Sequence, residues 1–444
     1  MTAAREHWGS RFGFVMAAAG SAVGIGNIWR FPYTTGTNGG GAFLLIYLAI
    51  IIGFGLSVAI AEMLVGRAAQ RNPVGAFRTL GGGAWPLVGY GGVLTGFVIL
   101  SFYIVVAGWT LAYVGFMASG SIHTTDAGQL SQVFSGFVAD PVRPILYSGV
   151  FMALTAWIVV GGIAKGIERW NKILMPALFV ILLALVLRAV TLDGAAAGLG
   201  FFLKPDFSKV TAETFYAAIA QAFFSLSIGM GTLLTYGSYL SRHEHLPKAT
   251  LTVAMVDTSV AVLAGLMIMP AVFAFGFDPS AGPGLTFVTL PAVFASMPLG
   301  AIFGVLFFTL LAIAALTSAV SILEPMVCYF VDEHCMSRRK VVIVAALVCF
   351  ALGIPASLSF GIWSGFTIGG RNWFDLMDFL ANNLMLPLGG LFTALFVGWA
   401  WKKATHELSN EGSLHLPWAP VWLFVLRFLA PLGILWIMAS ALLA

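Results

Sequence analysis

Long apolar stretches separated by short polar clusters dominate this chain. No charged residue occurs from Phe31 to Ala61, from Thr79 to Thr125, from Pro279 to Leu323 or from Val341 to Gly370. A helix needs about 20 apolar residues to cross a bilayer. Apolar runs and the turn signals between them predict eleven spans, at 11–35, 41–68, 86–118, 144–162, 166–190, 214–240, 246–276, 300–334, 338–357, 373–401 and 418–443. The expected fold is an all-α polytopic membrane protein. The stretch 119–143 reads as a polar loop, and 191–213 mixes charges with Pro205. The stretch 277–299 is apolar, and reads as a re-entrant or surface-lying helix at the outer mouth.

Basic residues set the expected orientation. With the N-terminus inside, 15 of the 22 Lys and Arg residues fall on inward loops and helix ends, among them Arg5, Arg11, Arg67, Arg71, Arg78, Arg338, Arg339 and Lys340. The positive-inside rule then places the N-terminus in the cytoplasm. An odd number of spans places the C-terminus outside.

Composition agrees and removes other classes. Of 444 residues, 59% are hydrophobic and 9% are charged, against roughly 25% charged in a soluble protein. That excludes a soluble enzyme, and disorder too, because disorder requires low hydrophobicity. Cys328, Cys335 and Cys349 show no metal-ligand spacing and suggest no disulfide framework. The seven histidines lie in polar stretches, and His243-Glu244-His245 lacks the helical spacing of a zinc hydrolase. The net charge of +4 is spread over loops and leaves no nucleic-acid footprint.

Two spans carry helix-weakening residues at mid-membrane. Gly20, Gly24 and Gly26 crowd the first; Ser225, Ser227, Gly229 and Gly231 crowd the sixth. Glycine weakens a helix by about 1 kcal/mol relative to alanine. Open backbone at membrane depth is tolerated only against protein or a cavity. Close helix packing is the alternative explanation for the glycines. Their matching places in the two halves favour broken helices and paired five-helix repeats with a site between them. Arg30, Glu62, Asp257, Glu324 and Arg427 lie in or near these apolar spans, where a charge costs several kcal/mol unless paired.

Three motifs carry a family resemblance: Arg5-Glu6-His7-Trp8, Gly24-Ile25-Gly26-Asn27-Ile28-Trp29-Arg30-Phe31-Pro32, and Asn38-Gly39-Gly40-Gly41-Ala42-Phe43. With Gly166-Ile167-Glu168-Arg169 and Leu316-Thr317-Ser318, the chain resembles the neurotransmitter:sodium symporter family up to about Trp401. The resemblance implies a 5+5 inverted-repeat core, with helices 1 and 6 unwound and an eleventh helix beyond it. It divides the chain into a first repeat at 1–190, an extracellular loop at 191–213, a second repeat at 214–401, and a cytoplasmic loop with the eleventh helix at 402–444. Localisation in the bacterial cytoplasmic membrane follows from the same resemblance.

The family's site carries over residue by residue. A substrate carboxylate would meet the amides around Gly24, Ile25 and Gly26, where a half-helix N-terminus favours negative charge, and the hydroxyl of Tyr103. The substrate amine would meet carbonyls of Ala22, Phe224 and Ser225. Ile99, Phe224, Ser227, Met230, Ser318 and Ile322 would form the side-chain pocket. One sodium would bind the Ala22 carbonyl, Asn27, Ser225, Asp257 and the substrate carboxylate. A second would bind carbonyls of Gly20, Val23 and Ala314 with hydroxyls of Thr317 and Ser318. Both shells are all-oxygen, as a hard cation prefers.

Departures from the family pattern carry their own expectations. Asp257 stands where other members have asparagine, and Ala261 where chloride-dependent members have serine. A fixed carboxylate there implies that chloride is not required. Met230, at a position where phenylalanine is common, favours a hydrophobic or aromatic substrate. Arg30 and Asp378 resemble an outer gate with Phe224 as lid. Arg5 and Asp332 resemble an inner gate, supported by Trp8, Ser238 and Tyr239, with Glu324 expected to join them. Glu62 is expected to bond the unwound backbone, and Gln221 to assist the outer gate. Gly166 and Pro176 resemble a fifth-helix motif that unwinds, with simple kinking as the alternative. The function implied is sodium-coupled symport of a hydrophobic L-amino acid across the lipid bilayer. A non-transporting amino-acid sensor on the same fold is the alternative; an intramembrane enzyme lacks a nucleophile–base constellation.

Overall fold

The computed structural model describes residues 6–122, 124–279 and 284–443. Among them, nine helices are long and apolar enough to cross a membrane: Gly41–Ala69, Pro86–Ala118, Arg143–Val160, Ile163–Val190, Leu246–Ala274, Gly300–His334, Arg338–Leu358, Trp373–Ala400 and Ala419–Leu442. A tenth span is a pair, Arg11–Ala22 and Gly26–Thr37, bent by 53°. The span expected at 214–240 exists only as two short helices, Ala212–Ser225 and Thr232–Ser238. Neither half crosses alone, which is the mid-membrane break expected of the sixth span; among the described residues ten spans, the bent pair included, meet the length and apolarity a crossing needs. The physical reason is the glycine-rich break between those halves.

Local chemistry sets the helix ends. The Ser10 side chain accepts the Gly13 N–H and caps the first helix. Asn72 accepts the Gly75 N–H, and Pro73 follows at the first helical position. The expected polar loop at 119–143 contains a helix, Ala127–Ala139, capped by Asp126. Its Leu130, Phe137 and Val138 are buried against the protein. The apolar stretch after residue 277 forms the short helical segment Leu285–Ala295, as its composition suggested.

Burial separates the centre of the bundle from its lipid-facing rim. In Pro86–Ala118 and Gly300–His334 the most apolar windows are 78% and 67% buried. The corresponding window of Ile163–Val190 is only 33% buried, which leaves that helix a large outward apolar face. The two central helices run along each other and carry Tyr103, Thr317 and Ser318 into the interior.

Close backbone contact fixes the second helix of the bundle against the second half of the sixth. A Cβ on Gly66 would run into the Leu234 carbonyl and stand 2.9 Å from the Ser238 nitrogen. A Cβ on Gly237 would run into the Met63 carbonyl. Backbone atoms cannot swing aside, so overpacking costs about 1–3 kcal/mol. Gly66→Ala is therefore expected to lower the melting temperature of the detergent-solubilised protein. Gly91→Ala, inside a helix and with an added methyl that meets nothing within 4 Å, should not lower it in the same thermal scan, and a small rise is expected from helix propensity.

Candidate functional site

The two interruptions face each other at the centre of the molecule. The first helix stops at Ala22, where Val23 turns to extended backbone. Helix resumes at Gly26, in a wide turn that closes when the Phe31 N–H bonds the Gly26 carbonyl. The sixth stops at Ser225 and resumes at Thr232. Between them Ser227, Gly229 and Gly231 take φ values of 55°, 92° and 75°. Glycine adopts that region at little cost. Ser227 does not, and its hydroxyl is tied to the Ser21 carbonyl at 3.1 Å.

Side chains take up the backbone groups that the breaks release. Glu62 accepts the Gly229 N–H at 2.7 Å, the contact its position in the sequence suggested. Gln221 donates to the Gly26 carbonyl at 3.1 Å, which fastens the sixth helix to the restart of the first. The Ser318 hydroxyl lies 3.2 Å from the Val23 carbonyl, 3.3 Å from Ser21 and 3.5 Å from Gly20.

Asp257 sits in a fully buried cluster. One carboxylate oxygen accepts from the Asn27 amide at 2.7 Å, and the other from the Ser225 hydroxyl at 2.7 Å. The Asn27 amide also lies 3.0 Å from Ser225, and its oxygen accepts the Gly24 N–H at 3.2 Å. Tyr47 donates to Ser225 at 3.3 Å. No basic side chain forms an ion pair with Asp257 among the described residues. None of the described residues forms a group of three or more His, Cys, Asp or Glu side chains that could hold a metal. An ion here would therefore meet neutral oxygens and one carboxylate, a set suited to a hard cation of low charge.

A second oxygen-rich region lies beside it. The Thr317 hydroxyl donates to Ala314 at 3.0 Å and to Ile313 at 3.2 Å. With Ser318 it faces the carbonyl ends of the first half-helix. Tyr103 brings its hydroxyl to 3.5 Å from the Ile25 N–H. A Cβ on Gly24 would stand 2.6 Å from the Ser318 hydroxyl and 3.2 Å from that of Tyr103. A Cβ on Gly26 would stand 2.5 Å from the Phe224 ring. These two glycines keep the amides of the break accessible.

Beyond Phe224 opens a cavity of about 300 Å³. Ile25, Gly26 and Tyr103 form its floor, with Trp29, Trp109, Phe287, Phe360 and Phe374 around it. Arg30, Asp375 and Asp378 also line it. Arg30 stands over the Phe224 ring at 5.0 Å, a cation–π distance. Arg30 and Asp378, the expected outer pair, line the same cavity but form no direct ion pair in this structure; Asp378 accepts from Asn382 at 2.7 Å. Ile99, Ser227, Met230, Ser318 and Ile322 are buried and do not line this cavity.

The other end of the site is closed by a polar network. Trp8 donates to the Tyr236 carbonyl at 3.1 Å and packs edge-on against Tyr236 and Tyr239. Tyr239 donates to Glu324 at 2.8 Å, and Arg338 grips the same carboxylate through both ends, at 3.0 and 2.5 Å. Glu324 does join this end, as expected. Its arginine partner carries no signal in the sequence, since Arg338 reads as a loop cation. Asp332 accepts the Asn72 N–H at 3.0 Å. Arg5, expected opposite Asp332, lies outside the described residues. The fifth span is continuous over Ile163–Val190, but Gly166 lies in a wide-turn π segment, Ile163–Glu168, and Pro176 lies inside the regular helix Arg169–Val190 that follows. Tyr47 and Ser21 belong to the site although the sequence alone did not single them out. A tyrosine in an apolar span and a serine among alanines are each too common to flag.

Comparisons with known proteins agree with this geometry. A family model described as the sodium:neurotransmitter symporter family matches residues 5–125 and 144–444. The sodium-dependent transporter YhdH of Bacillus subtilis is 40% identical over 96% of each chain. The sodium- and chloride-dependent GABA transporter 2 of Mus musculus is 26% identical over 95% of this chain and 78% of its own length. The crystal structure of MhsT in complex with L-phenylalanine superposes with a TM-score of 0.91 at 50% identity, over 99% of this chain and all of that one. The bent first span, the broken sixth and the oxygen clusters between them thus sit on a shared scaffold, and the chain belongs to the sodium:neurotransmitter symporter family.

Proposed function

We propose that this protein couples an inward sodium gradient to the uptake of a hydrophobic or aromatic L-amino acid, by alternating access, with two sodium ions and without chloride. The observation that carries the proposal is Asp257, a fully buried carboxylate among neutral donors with no basic partner among the described residues. A buried charge needs a partner. A sodium ion held by the Ala22 carbonyl, Asn27, Ser225 and Asp257 supplies one, and the substrate carboxylate completes its shell. Each then strengthens the other's binding, which is coupling in the thermodynamic sense. The carbonyls of Gly20, Val23 and Ala314 with Thr317 and Ser318 hold the second ion.

The substrate carboxylate binds the amides of the first break and the Tyr103 hydroxyl. Its amine binds carbonyls of Ala22, Phe224 and Ser225. Ile99, Ser227, Met230, Ser318 and Ile322 receive the side chain beneath the Phe224 lid. The L-phenylalanine of the MhsT crystal structure supports an aromatic substrate, given the identity between the chains. The GABA transporters named for chloride dependence are more distant. The built-in negative charge of Asp257, with Ala261 rather than serine one turn on, supports chloride independence. Arg30, Asp378 and Phe224 guard the outer side; Arg5, Trp8, Tyr239, Glu324 and Asp332 guard the inner one, with the N-terminus cytoplasmic and the C-terminus outside.

Uptake of labelled phenylalanine, tyrosine, tryptophan and leucine into proteoliposomes tests the proposal. Accumulation should require an inward sodium gradient and persist when gluconate replaces chloride. Sodium-dependent binding without accumulation would indicate a sensor instead. Asp257→Asn should raise the sodium concentration for half-maximal uptake by about tenfold or more, the cost of a lost charged ligand. Tyr103→Phe should raise KM by roughly tenfold, as expected for one hydrogen bond to a charged group, with the sodium dependence at saturating substrate unaltered.

A further inference from the structure

The fifth helix presents one polar side chain to the centre that the reading above leaves unused. Asn171 is only 2% exposed. Its amide nitrogen donates to the Ile167 carbonyl at 2.9 Å, one turn back on its own helix. That bond fixes the amide plane and leaves the side-chain oxygen buried without a hydrogen-bond partner among the described residues. Buried acceptors in that state are uncommon and call for an explanation. This one is aimed at Gly20: a Cβ on Gly20 would overlap it, and the same point lies 3.2 Å from the Thr317 Cβ. Gly20 and Thr317 are two of the residues proposed to hold the second ion. The fifth helix packs on both elements that carry them, the first half-helix and the eighth span.

We infer that Asn171 supplies a further oxygen to the second sodium, from the fifth-helix side of its site. The inference rests on the two-ion reading and deepens it. An amide carbonyl is an ordinary ligand for a hard cation. Asn171 lies between Gly166 and Pro176, where the helix has a glycine and an internal proline. Yielding of that segment carries the oxygen away from Gly20 and Thr317, so the ion loses a ligand as its route opens. Lys172 next to it is held by Glu168 at 2.5 Å, which keeps that ammonium from serving as the partner of Asn171.

Sodium-dependent thermal stabilisation of the purified full chain tests this, with choline keeping ionic strength constant. A ligand that binds only the folded state raises stability with its concentration. Asn171→Leu should raise the sodium concentration for half the stabilisation by about tenfold, the usual effect of losing a supporting ligand. Asn171→Asp, nearly the same shape with added charge, should lower it. Amino-acid affinity at saturating sodium should stay as in the wild type. Combined with Thr317→Ala, Asn171→Leu should shift the half-point by less than the sum of the two single shifts, because both act at one ion. A wild-type half-point in both Asn171 variants, or an equal loss of stability in choline and sodium, overturns the assignment. If Asn171→Leu does not fold, Asn171→Asp decides alone: an unchanged or raised half-point overturns it. A wild-type chain without any sodium response would overturn the two-ion reading and this assignment together.

Discussion

Inside a bilayer an open N–H or carbonyl finds no water, so a spanning helix that stops midway must obtain its hydrogen bonds from protein. Two helices of this molecule stop midway, and the contacts at its centre answer that requirement. Glu62 takes the Gly229 N–H, Gln221 takes the Gly26 carbonyl, and Ser227 and Ser318 reach the carbonyls near the end of the first half-helix. Each contact joins one half of the chain to the other. The breaks therefore hold the bundle together at the place where it must also bind and move.

The carbonyls and hydroxyls left over are what make the centre hospitable to a small cation. Asp257 adds the one negative charge, and neutral groups hold both its oxygens in place. Glycines at 24 and 26 keep the approach clear, since a methyl at either would press on Ser318 or Phe224. Substrate and ion recognition arise here from backbone geometry more than from dedicated side chains.

The two ends of the site differ in kind. Toward the proposed outer side lies a hollow walled by aromatic rings, with Arg30 resting on Phe224. Toward the proposed inner side, Trp8, Tyr239, Glu324 and Arg338 are locked in short directional contacts. Arg67, fully buried, is held in the same region by Glu407 and Asn410. Opening the inner end means breaking bidentate and charge-assisted bonds, which are the strong ones. Opening the outer end means moving rings past one another.

Span positions, the two weak helices and the polar residues within them could be read from the sequence, because hydrocarbon imposes length, apolarity and satisfied backbone on any chain that crosses it. The contact between Glu62 and the unwound backbone was implied by the family resemblance. Tertiary structure decided what pairs with what. It gave Glu324 the side chain of Arg338, from across a loop, and left Arg30 on Phe224 rather than on Asp378. It also aimed the Asn171 oxygen at Gly20. These outcomes depend on how separate helices are placed against one another, and no local pattern encodes the distance between side chains carried by different helices.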